Sequence, residues 1–395
     1  MIEVADKEKC CGCTACASVC PTSCISMEND EEGFLYPNAN AAECVGCGQC
    51  EQVCPIANPV AEQKCAQVGY VVRAGDEDVL IESTSGGAFT IIAQTVLAKG
   101  GIAIGVGFGE DGMPRHKSAQ NSQELAELRG SKYVQSDLLD TLVKVKLELQ
   151  SGKIVLFSGT PCQVEGLLSF LGNHPENLIC VDVVCHAVPS PLVYSRYLEY
   201  VGRRGFARFR DKTPYGYQYS QMSFADESGA RFFSEGVETS PYLKAFFQHL
   251  SVRPSCYSCA FRKRFRRSDY TLWDCWDAHS YSAAMDSDLG ATKVLCHTEK
   301  AKALASELFA HSDFAVEAEP DLLVKGEKEI FEPPSRPERR NEFFRDCLTI
   351  KDSHELFSKW FPVNGRVVVE RNVRRLLARF GLLGKVKNFL KGIVR

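Results

Sequence analysis

Two runs of cysteine near the N-terminus are spaced for iron–sulfur chemistry. The first reads Cys10-x2-Cys13-x2-Cys16-x3-Cys20-Pro21 and the second Cys44-x2-Cys47-x2-Cys50-x3-Cys54-Pro55. Each is the bacterial pattern for ligating a [4Fe–4S] cubane, and together they are the chain's one clear internal repeat. Three thiolates at this spacing wrap one cubane only if the loop curls around it. The fourth cysteine opens a short segment that leads away, and so it reaches the neighbouring cluster. Cys10, Cys13, Cys16 and Cys54 are thus expected to hold one cluster, and Cys20, Cys44, Cys47 and Cys50 the other. A zinc site would use paired C-x2-C knuckles and leave the duplicated spacing unexplained. Cys11, Cys24 and Cys65 are surplus, and read as small residues packed near the clusters.

Four further cysteines invite the same chemistry with less support from spacing. Cys162 follows Ser158-Gly159-Thr160-Pro161 at a strand-to-helix turn, where a helix N-terminus favours a thiolate. Cys185 ends the next strand, and Cys256-Tyr257-Ser258-Cys259 is a C-x2-C knuckle. Together they form a candidate third [4Fe–4S] site, a zinc site, or two buried cysteines beside an unrelated knuckle. His186 and His116 lie nearest these motifs, and His186 is the candidate catalytic proton carrier, against a plain structural role. The run Arg262-Lys263-Arg264-Phe265-Arg266-Arg267 is either a solvated face or a seat for an anionic group.

These residues need a scaffold, and the rest of the chain reads as one. Its 395 residues, 45% apolar and 24% charged, allow two or three packed domains. A net charge of -4 gives no reason to expect nucleic acid. Nineteen cysteines, ten of them within the first 54 residues, point to metal binding in a reducing compartment. No basic-then-apolar leader opens the chain, and no apolar run approaches the ~18–20 residues of a spanning helix. The expected location is the cytoplasm. From Val68 onward, strands at 69–73, 102–108, 153–157 and 178–184 alternate with helices at 88–99, 138–150 and 163–171. That alternation predicts α/β layers on a mixed, largely parallel sheet. Residues 208–234 read as an irregular antiparallel extension. Ser83-Thr84-Ser85-Gly86-Gly87 before a helix, and Gly130-Ser131-Lys132-Tyr133, are loops suited to an anionic cofactor or to ordinary turns. No dinucleotide fingerprint is present.

Several ordered stretches together resemble the coenzyme F420 hydrogenase/dehydrogenase beta-subunit family, in its version with a fused dicluster ferredoxin domain. They are Ser83–Phe89, Leu128–Ser136, Leu156–Gln163, Val184–Ser190, Phe209–Lys212 and Arg253–Cys259. The resemblance implies an α+β ferredoxin-like dicluster domain over residues 1–60 and an α/β flavin-binding domain in two parts, 66–150 and 151–325. It implies FAD, with Ser85, Gly86, Gly87, Lys132 and Tyr133 as contacts, and favours a metal role for Cys162, Cys185, Cys256 and Cys259. Reduced ferredoxin or a deazaflavin coenzyme is the implied redox partner, acting with an organic substrate. The alternatives are a non-enzymatic electron-transfer subunit and a tailoring reductase in surface-polysaccharide biosynthesis. Ala187 in place of a glycine, and Trp273 and Asp277 in place of small residues, depart from the family pattern and bear on substrate identity.

Residues 326–365 read as a linker, and 366–395 as a basic tail of two amphipathic helices bent at Gly381 and Gly384. Val373, Leu376, Leu377 and Phe380 recur at helical spacing, as do Val386, Phe389, Leu390 and Ile393. The tail's stripe is expected first to pack on the protein's own core. The second reading places it on the inner face of an anionic membrane, and the third in a partner's acidic groove.

Overall fold

The computed structural model describes residues 1–285, 287–309 and 315–380. In the first sixty, each three-cysteine loop runs into a short helix, Ala15–Val19 or Gln49–Gln52, and an antiparallel hairpin pairs β1 (Ile25–Asn29) with β2 (Leu35–Ala39). The two loops repeat the same backbone. Gly12 (φ 71°) and Thr14 (62°) are left-handed in the first, Gly46 (71°) and Gly48 (72°) in the second. Left-handed residues on both sides of a cysteine curl the chain inward, which wrapping a cubane requires.

The remaining strands are β3 (Val68–Val72), β4 (Ile102–Phe108), β5 (Pro114–Ala119), β6 (Val155–Ser158) and β7 (Leu178–Val183). They continue with β8 (Phe206–Asp211), β9 (Gln221–Ala225), β10 (Arg231–Glu235), β11 (Tyr270–Asp274), β12 (Thr292–Cys296) and β13 (Ala315–Ala318). Eight of them form one sheet in the order β13-β3-β12-β11-β7-β6-β4-β5. Only β4, β6, β7 and β11 run parallel; every flanking pair is antiparallel. The sheet is therefore mixed but not largely parallel. Parallel pairing needs a crossover helix, and the chain supplies one between β6 and β7 but only a tight turn between β4 and β5. The expected antiparallel extension is a separate sheet, β10-β9-β8.

Side chains of β6 alternate between faces. Val155 and Phe157 join Ile104, Leu142 and Leu167 on one face, while Leu156 joins Ile92, Val181 and Val294 on the other. The dicluster domain is part of this packing, since Cys13 and Ala15 belong to the first face's core. It is also clamped from the far end of the chain: the buried guanidinium of Arg340 donates to both carboxylate oxygens of Glu32, at 2.8 and 2.6 Å. Residues 326–365 are thus not a linker throughout. Helices Arg340–Thr349 and Ser353–Trp360 bury Phe343, Phe344, Leu356 and Phe357 in an aromatic core with Tyr194, Tyr197 and Tyr242. Proline and charge before Arg340 masked two short amphipathic helices.

The tail differs from expectation too. Helix Gly365–Arg379 is held to the body by Arg374, which pairs with Glu238 at 2.7 Å and lies over the Tyr219 ring. Its apolar stripe is turned outward: Val369, Val373, Leu376 and Phe380 are 51–67% exposed. The expected second helix lies outside the described residues.

Gly166, in helix Pro161–Leu171, lies directly against the dicluster domain. A Cβ there would stand 2.6 Å from Cys13 Cβ and 2.8 Å from its Sγ. Helix propensity alone makes Gly166→Ala stabilising by about 1 kcal/mol; the clash predicts a loss of about 1–3 kcal/mol instead. Denaturant unfolding of the variant reads the sign.

Candidate functional site

The two groups of N-terminal thiols sort as the crossed ferredoxin pattern requires. Burial raises the Cys16 thiol first, and the neighbouring sulfurs that add to it are Cys13, Cys10 and Cys54. A small cavity elsewhere is lined by Cys20, Cys44, Cys47 and Cys50. Cys24 joins that second group, its Sγ 3.4 Å from Cys20 Sγ. Cys65, expected near the clusters, is exposed in the connecting strand of chain instead. Cys11 is not mere filling: the Cys13 and Cys162 thiols beside it, and then burial, hold its own thiol well above the usual range.

Cys162, Cys185, Cys256 and Cys259 come from three places in the chain. Cys162 is the second residue of helix Pro161–Leu171, beneath a Thr160 capping box, and Thr160 Oγ1 lies 3.1 Å from its sulfur. Cys185 follows β7, Cys256 sits in the 3-10 turn Pro254–Ser258, and Cys259 ends that turn. Burial raises the Cys185 thiol most, followed by the charges of Cys256, Cys162 and Cys259. A hydrogen bond with Cys11 is the largest cause holding Cys162 down, at about 7. The Val188 N–H donates to Cys256 Sγ at 3.4 Å. Among the described residues no three thiols bring their sulfurs within 4.8 Å of one another. Sulfurs around one zinc, at Zn–S of about 2.3 Å, would stand about 3.8 Å apart. No three of these four are therefore gathered at that spacing. One compact trio, His174, Cys180 and Asp269, does occur, but Lys300 Nζ sits 3.1 Å from His174 Nε2 and 3.6 Å from Asp269 and supplies the cation there.

Cys162 and Cys185 open onto a cavity of about 590 Å³, which Cys11 and Gly12 of the dicluster domain also reach. The two expected cofactor loops line it too, and they are bound to each other. Ser131 N–H donates to Thr84 Oγ1 at 2.7 Å, and Arg129 pairs with Glu82 at 2.6 Å. Gly87 (φ 87°) precedes helix Ala88–Ala98 with no side-chain cap, so the first N–H groups of an eleven-residue helix face this space. Ser85 and Tyr133 line the cavity as expected; Tyr133 packs on Phe246 at 5.0 Å. Lys132 lines it as well, but its ammonium, lowered to about 7 by burial, donates to the carbonyls of Glu127 and Arg129.

Gly86 does not face the cavity. Its N–H donates to Thr292 Oγ1 at 2.8 Å, and a Cβ there would come within 2.2 Å of Val72 O. It is glycine because the loop presses flat on the sheet. His186, expected to carry protons, is held largely neutral: burial first, then His249, lowers it to about 4, and the two Nε2 atoms share a hydrogen bond at 3.0 Å. The basic run lines no part of the cavity. Arg264 pairs with Asp321, Arg266 with Asp182 and Arg267 with Glu165, while Arg262 and Lys263 donate to the carbonyls of His186 and Val60.

Three cavity residues escaped the sequence reading. Arg129 Nε, Arg210 Nη2 and Trp273 Nε1 are buried donors without partners among the described residues, and all three residues line this space. Buried donors of this kind are rare unless a ligand or water meets them. Lys212 escaped too: its buried Nζ donates to Ser85 O at 2.7 Å and to Leu289 O, pinning the loop that carries Gly86 and Gly87. Both Arg210 and Lys212 lie in the resembling stretch Phe209–Lys212, which was the available signal.

Three family models match the chain. A 4Fe–4S dicluster domain matches residues 9–58. The N-terminal part of the coenzyme F420 hydrogenase/dehydrogenase beta subunit matches 69–143, and its C-terminal part 152–321. No curated protein matches in sequence. Among solved structures, the chain is similar to one from the xenon-derivatized F420-reducing [NiFe] hydrogenase complex of Methanosarcina barkeri. The identity is 16%, the match covers 75% of this chain and 92% of that one, and the TM-score is 0.45.

Lys212→Met leaves the Ser85 and Leu289 carbonyls without the Nζ that joins them, and is expected to destabilise the protein by about 1–3 kcal/mol. Chemical denaturation measures it, and unchanged stability would show that the pin does not hold the loop.

Proposed function

Since the chain belongs to the coenzyme F420 hydrogenase/dehydrogenase beta-subunit family and carries a 4Fe–4S dicluster domain, we propose that it is an iron–sulfur flavoprotein oxidoreductase. Iron–sulfur electron transfer follows from the family; FAD, a third cubane and an organic substrate are the proposal. Reduced ferredoxin or a deazaflavin coenzyme is the proposed redox partner. One observation carries it: a single cavity of about 590 Å³ is lined both by Cys162 and Cys185 and by the two anion-suited loops. That volume is within the usual range for cofactor sites.

When bound, FAD supplies the exchange between two-electron and one-electron chemistry. The chain's residues hold it. The uncapped N–H groups after Gly87 suit a pyrophosphate, and Arg129 Nε, Arg210 Nη2 and Trp273 Nε1 are donors in need of acceptors. Tyr133, Phe246 and Phe247 give an apolar wall that excludes water. Cys162, Cys185, Cys256 and Cys259 would hold the cubane beside it, and Cys10, Cys13, Cys16 and Cys54 the next one outward. A second reading, a non-enzymatic electron-transfer subunit of a larger complex, draws on the matched family being a beta subunit. Turnover of a donor only in the presence of a second protein would favour it.

Anaerobically purified protein is expected to release about one FAD per chain and to hold about twelve iron atoms, four for each cubane. Cys256→Ser with Cys259→Ser should lower iron to about eight and leave the N-terminal pair. Iron that stays constant, or zinc that disappears instead, refutes the third cubane. Iron-replete protein that binds no added FAD refutes the flavin.

The outward stripe of Val369, Val373, Leu376 and Phe380 supports contact with a membrane surface, with the exposed Arg375 beside it. No helix among the described residues is long and apolar enough to cross a membrane. Full-length protein is expected to sediment with anionic vesicles at low salt, and a truncation after Pro362 to stay in solution. Absence of sedimentation by the full-length chain ends this reading.

A further inference from the structure

Among the described residues Arg253 is the most completely buried cation, at 0% exposure, and it has no carboxylate partner there. It precedes Pro254 and the Cys256–Cys259 turn, and its side chain leaves that turn to enter the dicluster domain. Nε donates to Cys10 O at 2.8 Å, Nη2 donates to Leu35 O at 3.0 Å, and Nη2 stands 3.6 Å from Cys10 Sγ. The guanidinium lies 4.2 Å from the centroid of the Tyr36 ring. Nη1 is buried and has no partner. Gly12 leaves room for it, since a Cβ at that position would stand 3.0 Å from Nη1. Arg253 is also joined to the second set, since the Cys256 N–H donates to Arg253 O at 2.9 Å, and its charge bears on Cys256 and Cys162.

A buried charge is costly unless an opposite charge meets it. Two carbonyls and a ring do not neutralise a guanidinium. The anions within reach are thiolate sulfurs, and they belong to two different ligand sets. A four-thiolate cubane is negatively charged and becomes more so on reduction, and nearby charge and hydrogen bonds to its sulfurs set its potential.

We propose that Arg253 is the shared counter-ion of the cubane ligated by Cys10 and of the four-thiolate site of Cys162, Cys185, Cys256 and Cys259, and that it raises the reduction potential of both. This rests on the reading of those thiols as cluster ligands. An electron arriving from the outer cluster of Cys20, Cys44, Cys47 and Cys50 is drawn inward because both inner centres face one fixed positive charge. Arginine suits the task because it keeps its proton when buried and spreads its contacts over a planar fork.

The test is a redox titration of full-length, anaerobically loaded protein, followed by EPR, for the wild type, Arg253→Met and Arg253→Lys. Iron is counted in each sample. In Arg253→Met the ratio of reduced to oxidised inner cluster at a fixed poise is expected to fall at least tenfold, about 59 mV for a one-electron couple. The outer cluster should not move. Arg253→Lys should recover most of the shift, since charge rather than the fork carries the effect. Inner potentials that stay put in a fully loaded Arg253→Met overturn the proposal, as does an equal shift in all clusters. Should Arg253→Met fail to load, Arg253→Lys decides alone: wild-type potentials support the role of charge, and a tenfold shift overturns it. Iron near eight in the wild type would refute the third cubane, yet the Cys10 cluster would still report on Arg253.

Discussion

Cysteines from residues 10–16 and from residues 162–259 are brought together in the interior, and this constraint shapes the rest of the molecule. A thiol held there must be shielded from water, yet a dry interior resists the charge of its thiolate. The protein answers by pressing one domain onto the other. Helix Pro161–Leu171 lacks a side chain at Gly166, so Cys13 can seat against it. That same helix presents Cys162 at its N-terminus, where the peptide dipoles favour a thiolate. Arg253 closes the seam with a cation, and Arg340 pulls the β1–β2 hairpin inward through Glu32. Cavity, loops and sheet are arranged around that seam.

The mixed sheet follows from this demand. Its parallel centre, β4, β6, β7 and β11, delivers the strand-end turns after β6 and β7 to one edge, and those turns carry Cys162 and Cys185. The antiparallel flank of β12 and β3 gives the Ser83–Gly87 loop a flat surface to lie on, which is why Gly86 tolerates no side chain. Pairing direction thus decides which groups face the cavity and which are consumed in holding it.

Legibility in the sequence tracked the range of the interactions involved. The ferredoxin repeat was plain because covalent spacing alone carries it. The strand at 102–108 and the helix from Ala88 were readable from local periodicity, and the structure has them at Ile102–Phe108 and Ala88–Ala98. The basic run after Cys259 was ambiguous because its partners, Asp182, Glu165 and Asp321, lie far away in the chain. His186 read as a proton carrier, and no sequence pattern reveals that His249 and two phenylalanines pack around its ring. Helices 340–360 were hidden by charged and proline-rich text whose apolar residues find partners only in the tertiary core. Arg253 looked like a flank of the knuckle, since nothing local tells that it spans to Cys10.

The stretch joining the two domains, residues 56–67, has no regular structure, but it is strapped down. Lys263 donates to Val60 O, Phe265 N–H to Glu62, and Gln67 to the carbonyl of Arg264. A strap of this kind makes the inner half of the electron route unimolecular. Where a separate carrier must find its docking face by diffusion, at a rate set by its concentration and by salt, the built-in carrier is permanently docked. Supply inside this chain is then independent of dilution, and collisional control is left to whatever meets the outermost cluster.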